Sequence, residues 1–122
     1  DTLYVLDEIR AVRSVCEGRT LKVIVEACLL TEAEKTAVCE LTACSGADYI
    51  KTSTGFSSGG ATKEDVAAFV RTAAGRIRVK AAGGIRTLQD AEEFLRLGAS
   101  RLGTSRIVGI VRNDAELDAL FD

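Results

Sequence analysis

Ile77-Arg78-Val79-Lys80-Ala81-Ala82-Gly83-Gly84-Ile85-Arg86-Thr87 is a short apolar run, then two glycines, then a threonine three residues ahead of Asp90. A run this short, carrying β-branched residues and bounded by turn signals, reads as a buried parallel strand. The threonine opens a helix, because its hydroxyl can cap the amide three residues on while the acid there caps back. Leu88, Ala91 and Leu95 then recur at helical spacing until Gly98, which suits a left-handed C-terminal cap. Strand, glycine loop, capped helix and closing glycine make one unit.

The unit repeats through the chain. Apolar runs at 21–27, 47–52 and 100–104 match the one at 77–82. Each follows a capping glycine: Gly18, Gly46 and Gly98 for these three, Gly75 for the fourth. The stretches before those glycines carry apolar residues at helical spacing. The first has Val5, Ile9, Val12 and Cys16, the second Ala37, Leu41 and Cys44, the third Val66, Phe69, Val70 and Ala73. Thr31/Glu34 and Thr62/Asp65 repeat the capping-box start, the Glu version being the stronger. The predicted order is α-β-α-β-α-β-α-β, with a short helix near 106–111. Strict alternation gives a parallel sheet with right-handed crossovers. A (β/α)8 barrel and an open doubly wound sheet both satisfy it, and periodicity does not separate them. No linker or second domain is visible, so residues 1–122 read as one domain.

Composition excludes several classes. The 122 residues are 47% hydrophobic and 28% charged, ordinary for a globular protein. No apolar run approaches the roughly 20 residues of a membrane span, and no signal-peptide pattern opens the chain, which predicts a cytoplasmic protein with no membrane partner. The first residue is Asp1 rather than Met, as in a processed or truncated polypeptide. A net charge of −2 argues against nucleic acid. Residues 76–112 nevertheless hold eight Arg/Lys against three acids, a local +5 that suits a small anion or, equally, solvated helix faces. Cys16, Cys28, Cys39 and Cys44 lack C-x-x-C spacing and no histidine accompanies them, so metal binding and cysteine catalysis are not expected. Reduced, buried thiols are the expectation.

Function in parallel α/β sheets gathers beyond the carboxyl ends of the strands. One strand ends Asp48-Tyr49-Ile50-Lys51-Thr52-Ser53-Thr54-Gly55-Phe56, and the next carries Lys80 at the matching point. Two lysines at equal depth on consecutive strands point into one mouth, where each disfavours the other's charge and burial adds to the effect. Such crowding brings a lysine from roughly 10.4 towards roughly 7–8, where it becomes a usable nucleophile. The competing structural reading pairs one lysine with Glu26 or Asp48 and leaves the other at the rim. The loops add a second theme. Gly83-Gly84 before a capped helix, and Gly103-Thr104-Ser105-Arg106 after the following strand, resemble the phosphate loops that follow the last two strands of barrels. Gly59-Gly60 reads as a flexible loop covering the site.

With Lys51-Thr52-Ser53-Thr54-Gly55-Phe56 and Val79–Thr87, supported by 21–26 and 98–105, the sequence resembles the deoxyribose-phosphate aldolase family through to about Val111. The resemblance implies the C-terminal half of a (β/α)8 barrel, strands 5–8. It implies a metal-free, cofactor-free class I aldolase that cleaves 2-deoxyribose 5-phosphate to acetaldehyde and glyceraldehyde 3-phosphate. Lys51 would form the Schiff base on strand 6, and Lys80 on strand 7 would lower its pKa. Thr54 and Gly55 would line the site, and Gly83, Gly84, Arg86, Gly103 and Ser105 would hold the phosphosugar's phosphate. The family's proton-relay aspartate on strand 4 has no counterpart here. Arg106 stands where some members have serine, and the chain ends Leu120-Phe121-Asp122 where some end in tyrosine. Two other readings remain: a half-barrel that binds phosphate but needs its N-terminal half or a second copy to act, and another phosphosugar barrel enzyme, against which the lysine pair counts.

Overall fold

The alternation read from the sequence is present in the computed structural model, which describes residues 2–56 and 58–104. Its helices are α1 (Thr2–Val15), α2 (Glu32–Cys44), α3 (Lys63–Ala73) and α4 (Leu88–Arg96). Its strands are β1 (Lys22–Ile24), β2 (Tyr49–Lys51), β3 (Arg78–Ala82) and β4 (Arg101–Gly103). The helix expected near 106–111, and with it Ser105 and Arg106, lies outside the described residues.

The punctuation works by the expected physics. Gly18, Gly46, Gly75 and Gly98 all take positive φ, between 79° and 112°, where a Cβ would clash with the backbone. Thr31 with Glu34 and Thr87 with Asp90 form complete capping boxes. Thr62 is a half box: its hydroxyl accepts from the Asp65 amide, but the Asp65 carboxylate accepts instead from Lys35 Nζ at 2.9 Å. That buried ion pair ties α3 to α2. The first strand is shorter than the run at 21–27, because Glu26 adopts φ 52° and a single 3-10 turn, Ala27–Leu29, follows it.

The sheet order decides between the two architectures left open. All four strands are parallel and lie in chain order, β1-β2-β3-β4. A doubly wound sheet reverses its order at a switch point and puts helices on both faces. Here α1 meets α2, α2 meets α3 and α3 meets α4, so the helices form one layer on one side. This is half of a (β/α)8 barrel, with helices outside and strands inside.

Side-chain alternation then sorts the strands into two faces. Ile50, Val79, Ala81 and Leu102 join Val66, Phe69, Ala91 and Phe94 in the core between sheet and helices. Three helix faces differ from expectation, the first being α1, where Val12 is exposed and Ile9 alone is buried. In α2 the buried residues are Cys39 and Thr42, with Ala37 and Cys44 exposed, and α4 buries Phe94 as well as Ala91. A weakly amphipathic helix such as α2 admits more than one apolar stripe, and Lys35 on the buried side disguises the right one. The thiols are all free, but only Cys39 is buried, which pushes its thiol up to about 11, while Cys44 is exposed.

Phe69 is the largest fully buried side chain, set between α3, α2 and β3. Phe69→Ala is expected to cost about 3–5 kcal/mol, read as a lowered urea midpoint with the slope unchanged.

Candidate active site

Lys51 closes β2 and Lys80 lies in β3, and the parallel register makes them direct Cα partners. Strand neighbours stand roughly 4.8 Å apart, so both side chains leave the same face at the same depth. Arg101 of β4 continues the row as the partner of Lys80. Burial holds the Lys80 ammonium below the ordinary lysine value, and the neighbouring cations Lys22, Lys51 and Arg101 push it further down. Neither acid proposed as a lysine partner serves as one. Asp48 accepts from Arg13 at 2.9 Å and from the Leu21 amide at 2.8 Å. Glu26 accepts from the Thr54 amide at 2.9 Å and the Thr54 hydroxyl at 2.6 Å. Among the described residues no ion pair within 4 Å reaches Lys51 or Lys80.

Beyond the carboxyl ends of β2, β3 and β4 a cavity of about 590 Å³ opens. Lys51, Thr54, Gly55, Gly83, Gly84, Arg86 and Gly103 line it, so the structure gathers all but two of the residues singled out above. Lys80 is the first exception and stands beside Lys51 by register. The second, Ser105, falls outside the described residues. No carboxylate lines the described cavity.

Several residues that build this mouth were not legible as such. Thr52, fully buried, donates its hydroxyl to the Ala82 carbonyl and accepts from the Ala82 amide, stitching the end of β2 to the end of β3. The Thr54 amide and hydroxyl, both donating to Glu26, fix the loop that follows Lys51. Gly60 lines the cavity and is packed closely against the next turn. A Cβ there would fall 2.4 Å from the Gly83 carbonyl carbon, and the Ala61 amide donates to the carbonyls of both Ala82 and Gly83. The loop between β2 and α3 is thus laid directly onto the Gly83-Gly84 turn. Gly103 makes room in the same way, its missing Cβ lying 3.4 Å from Lys80 Cε and 3.1 Å from Ala82 Cβ.

The start of α4 is arranged differently from a simple helix-terminus anion site. The amides of Arg86 and Thr87 both donate to Asp90 Oδ2 at 3.2 Å. The polar groups left facing the cavity there are the Gly83-Gly84 backbone, φ 80° and 74°, and the exposed Arg86 side chain. Thr104 braces the turn from the next strand, donating to the Ile85 carbonyl at 2.8 Å.

Two outcomes test this geometry. Gly60→Ala is expected to destabilise the chain by about 1–3 kcal/mol in urea unfolding, since the clash is with backbone and cannot be relieved by a rotamer. Lys80 binds its proton less well folded than unfolded, so the unfolded chain holds more protons in the window below roughly pH 10.4. Stability therefore rises with pH through that window. Urea midpoints at about pH 8 and about pH 10 should show the rise in the native chain and a flatter response in Lys80→Met.

Comparison with known proteins agrees with this geometry. The sequence model for DeoC/LacD family aldolases matches residues 1–109. A deoxyribose-phosphate aldolase of Streptococcus pyogenes is 54% identical over 109 residues, covering 89% of this chain and 49% of the relative. One from Streptococcus agalactiae is 54% identical over 107 residues, covering 88% and 48%. Among solved structures, an aldolase designated QR15 superposes with a TM-score of 0.87 at 37% identity, covering 99% of this chain and 55% of that one. A tetrameric deoxyribose phosphate aldolase from Aeropyrum pernix gives 0.82 at 30% identity, covering 95% and 51%. The chain spans about half the length of the curated relatives it matches. With the lysine row, the glycine-lined mouth and these matches together, the chain belongs to the DeoC/LacD aldolase family.

Proposed function

We propose that this chain carries the reacting lysines of a class I aldolase, one that cleaves 2-deoxyribose 5-phosphate reversibly to acetaldehyde and glyceraldehyde 3-phosphate. The observation that carries the reading is the pairing of Lys51 with Lys80 at one depth beside a glycine-lined cavity. Attack on a carbonyl needs a neutral amine, and Lys51 stands beside Lys80, whose ammonium is weakened by burial and by the neighbouring cations. Lys51 Nζ adds to the substrate carbonyl, and loss of water from the carbinolamine leaves an iminium. As a base takes the proton of the C3 hydroxyl, the bond between C2 and C3 breaks, its electrons flowing to the positive nitrogen, which releases glyceraldehyde 3-phosphate and leaves an enamine. Protonation and hydrolysis then free acetaldehyde and restore Lys51. Lys80, whose proton is held loosely by burial and its neighbours, is suited to exchange protons with this intermediate.

The phosphate end of the substrate is assigned to the Gly83-Gly84 backbone, the Arg86 guanidinium, Gly103 and, beyond the described residues, Ser105. Because Asp90 occupies the Arg86 and Thr87 amides, the anion rests on the glycine turn rather than on the helix axis. Free cysteines, one of them exposed, favour a reducing compartment such as the cytoplasm. No helix of the described residues is long and apolar enough to cross a membrane.

A second reading has its own support. The described cavity has no carboxylate and the chain spans about half of its relatives, so a proton-relay acid must come from elsewhere. On that reading the chain binds phosphate and needs the other half of the barrel to turn over.

Borohydride reduction in the presence of acetaldehyde, in a barrel-complete form, should leave a two-carbon adduct on Lys51. Lys51→Leu should abolish both adduct and aldol cleavage. An adduct mapped to Lys80 would reverse the two roles, and cleavage surviving in Lys51→Leu would end the Schiff-base reading.

A further inference from the structure

We infer that Glu26 is a positioning residue for ligand selection: it holds Thr54 as a hydrogen-bond acceptor toward the cavity, so that this edge takes a neutral hydroxyl and turns away a carbonyl. The inference deepens the phosphosugar reading proposed above, on which it rests for the seat of the phosphate. It is independent of the Schiff-base step.

The polarity of this edge follows from counting donors. A threonine has two, its amide and its hydroxyl, and an ionised carboxylate only accepts. The Thr54 amide donates to Glu26 Oε1 at 2.9 Å and the hydroxyl to Glu26 Oε2 at 2.6 Å, so the carboxylate takes both. The hydroxyl oxygen has two lone pairs, and the Phe56 amide donates to it at 3.2 Å. What Thr54 has left for a ligand is one lone pair. Thr54 is half-buried and lines the cavity of about 590 Å³. Arg86, which lines the same cavity, has the reverse character, since a guanidinium only donates.

The backbone pins Glu26 where it can do this. Residue 26 takes φ 52° and ψ 61°, the left-handed region that a β-carbon disfavours. On its two sides the Val25 amide donates to the Lys51 carbonyl at 3.1 Å and the Ala27 amide to the Thr52 carbonyl at 2.8 Å. Two bonds to the end of β2 therefore bracket the strained residue, and strain of this kind persists where its surroundings over-determine it. Glycine or asparagine would adopt the same conformation at less cost. The conformation does not call for an acid; the bonds from Thr54 do.

A ligand in this cavity meets two chemically distinct groups. Its phosphate suits Arg86, whereas a phosphate or carbonyl oxygen laid against Thr54 would set lone pair against lone pair. A hydroxyl donates its proton there instead. An ammonium would donate too, but Lys51 and Arg86 line the same cavity and oppose a further positive charge. The class selected is a phosphorylated chain with a hydroxyl between the phosphate and the carbon that meets Lys51.

Glycerol 3-phosphate and dihydroxyacetone phosphate differ only at the central carbon, a hydroxyl in one and a carbonyl in the other. Calorimetry with both, on a barrel-complete form carrying Lys51→Leu to prevent imine formation, reads binding alone. Glycerol 3-phosphate should bind about fivefold or more tightly, the worth of one hydrogen bond. Adding Glu26→Gln should bring the ratio to about one. The Thr54 amide can only donate and so keeps the glutamine oxygen, which turns the glutamine NH2 to the hydroxyl and frees the hydroxyl proton for either ligand. A merely structural Glu26 would loosen the loop, weaken both ligands alike and leave the ratio where it was, and that result would overturn the inference. A ratio near one in the Lys51→Leu form itself would do the same, as would failure of both ligands to bind. Thr54→Ser should keep the ratio and Thr54→Val should abolish it. If Glu26→Gln does not fold, these two variants decide, and equal ratios in both sink the inference. The expected ratios in a barrel that performs no aldol cleavage with Lys51 restored would support the inference and count against the proposed chemistry alone.

Discussion

Alternation along β2 sends Ile50 into the helix layer and, by the same geometry, Tyr49 and Lys51 out of the opposite face. The core and the lysine row are therefore set by one variable, the register of β2 against β3. A slip of one residue would expose Ile50 and bury Lys51 among Phe69 and Val79, an arrangement that loses apolar burial and strands an ammonium. Thr52 reinforces the choice, since its hydroxyl fits both polar groups of Ala82 only in the observed register. The apolar face thus holds the two lysines side by side without any direct contact being needed between them.

The mouth above the strands is fixed by a second constraint, close backbone approach. Gly60 lies on Gly83, and Gly103 clears the path of Lys80. Glu26 adopts a left-handed φ of 52° and its carboxylate accepts from Thr54, so the loop after Lys51 is anchored across to the end of β1. A left-handed non-glycine residue costs of order 1–3 kcal/mol, and it persists where surrounding bonds over-determine it. The strain sits one strand away from Lys51, at the point that shapes the cavity rim.

Elements and caps were legible in the sequence because their signals are local. A threonine with an acid three residues later, or a glycine that must adopt positive φ, acts within a single turn. The lysine pair was legible because strand ends at equal spacing imply equal depth. What failed to show was what depends on contacts distant in sequence. Asp65 resembles a capping acid until Lys35, thirty residues away, claims its carboxylate. Glu26 resembles a lysine partner, and only the folded loop reveals Thr54 as its donor. Gly59-Gly60 reads as a flexible pair, because nothing in the local sequence says that Gly83 will be pressed against it. In α2 the buried stripe contains Lys35 and Thr42, so counting apolar residues selects the wrong face.

The charge distribution joins the fold to the proposed chemistry. Acids populate the helices, where they cap, pair with basic residues or meet water, while cations line the face that a closed barrel would enclose. An enclosed cluster of like charges is unfavourable, and a protein can relieve it by releasing protons, by importing carboxylates or by binding an anion. Lys80 shows the first response, its ammonium weakened by burial and by Lys22, Lys51 and Arg101. A carboxylate placed near Lys80 would oppose that weakening, since it restores the ammonium's affinity for the proton. Neutralising the cluster and keeping an amine reactive therefore pull in opposite directions. An acid near Tyr49, at the amino ends of the strands, settles the cations there and leaves the lysine mouth less affected than one placed at the carboxyl ends. Lys22 and Arg78, the register partners of Tyr49, already collect on it below the Lys51–Lys80 row, and that is where added negative charge does the least harm to a nucleophilic amine.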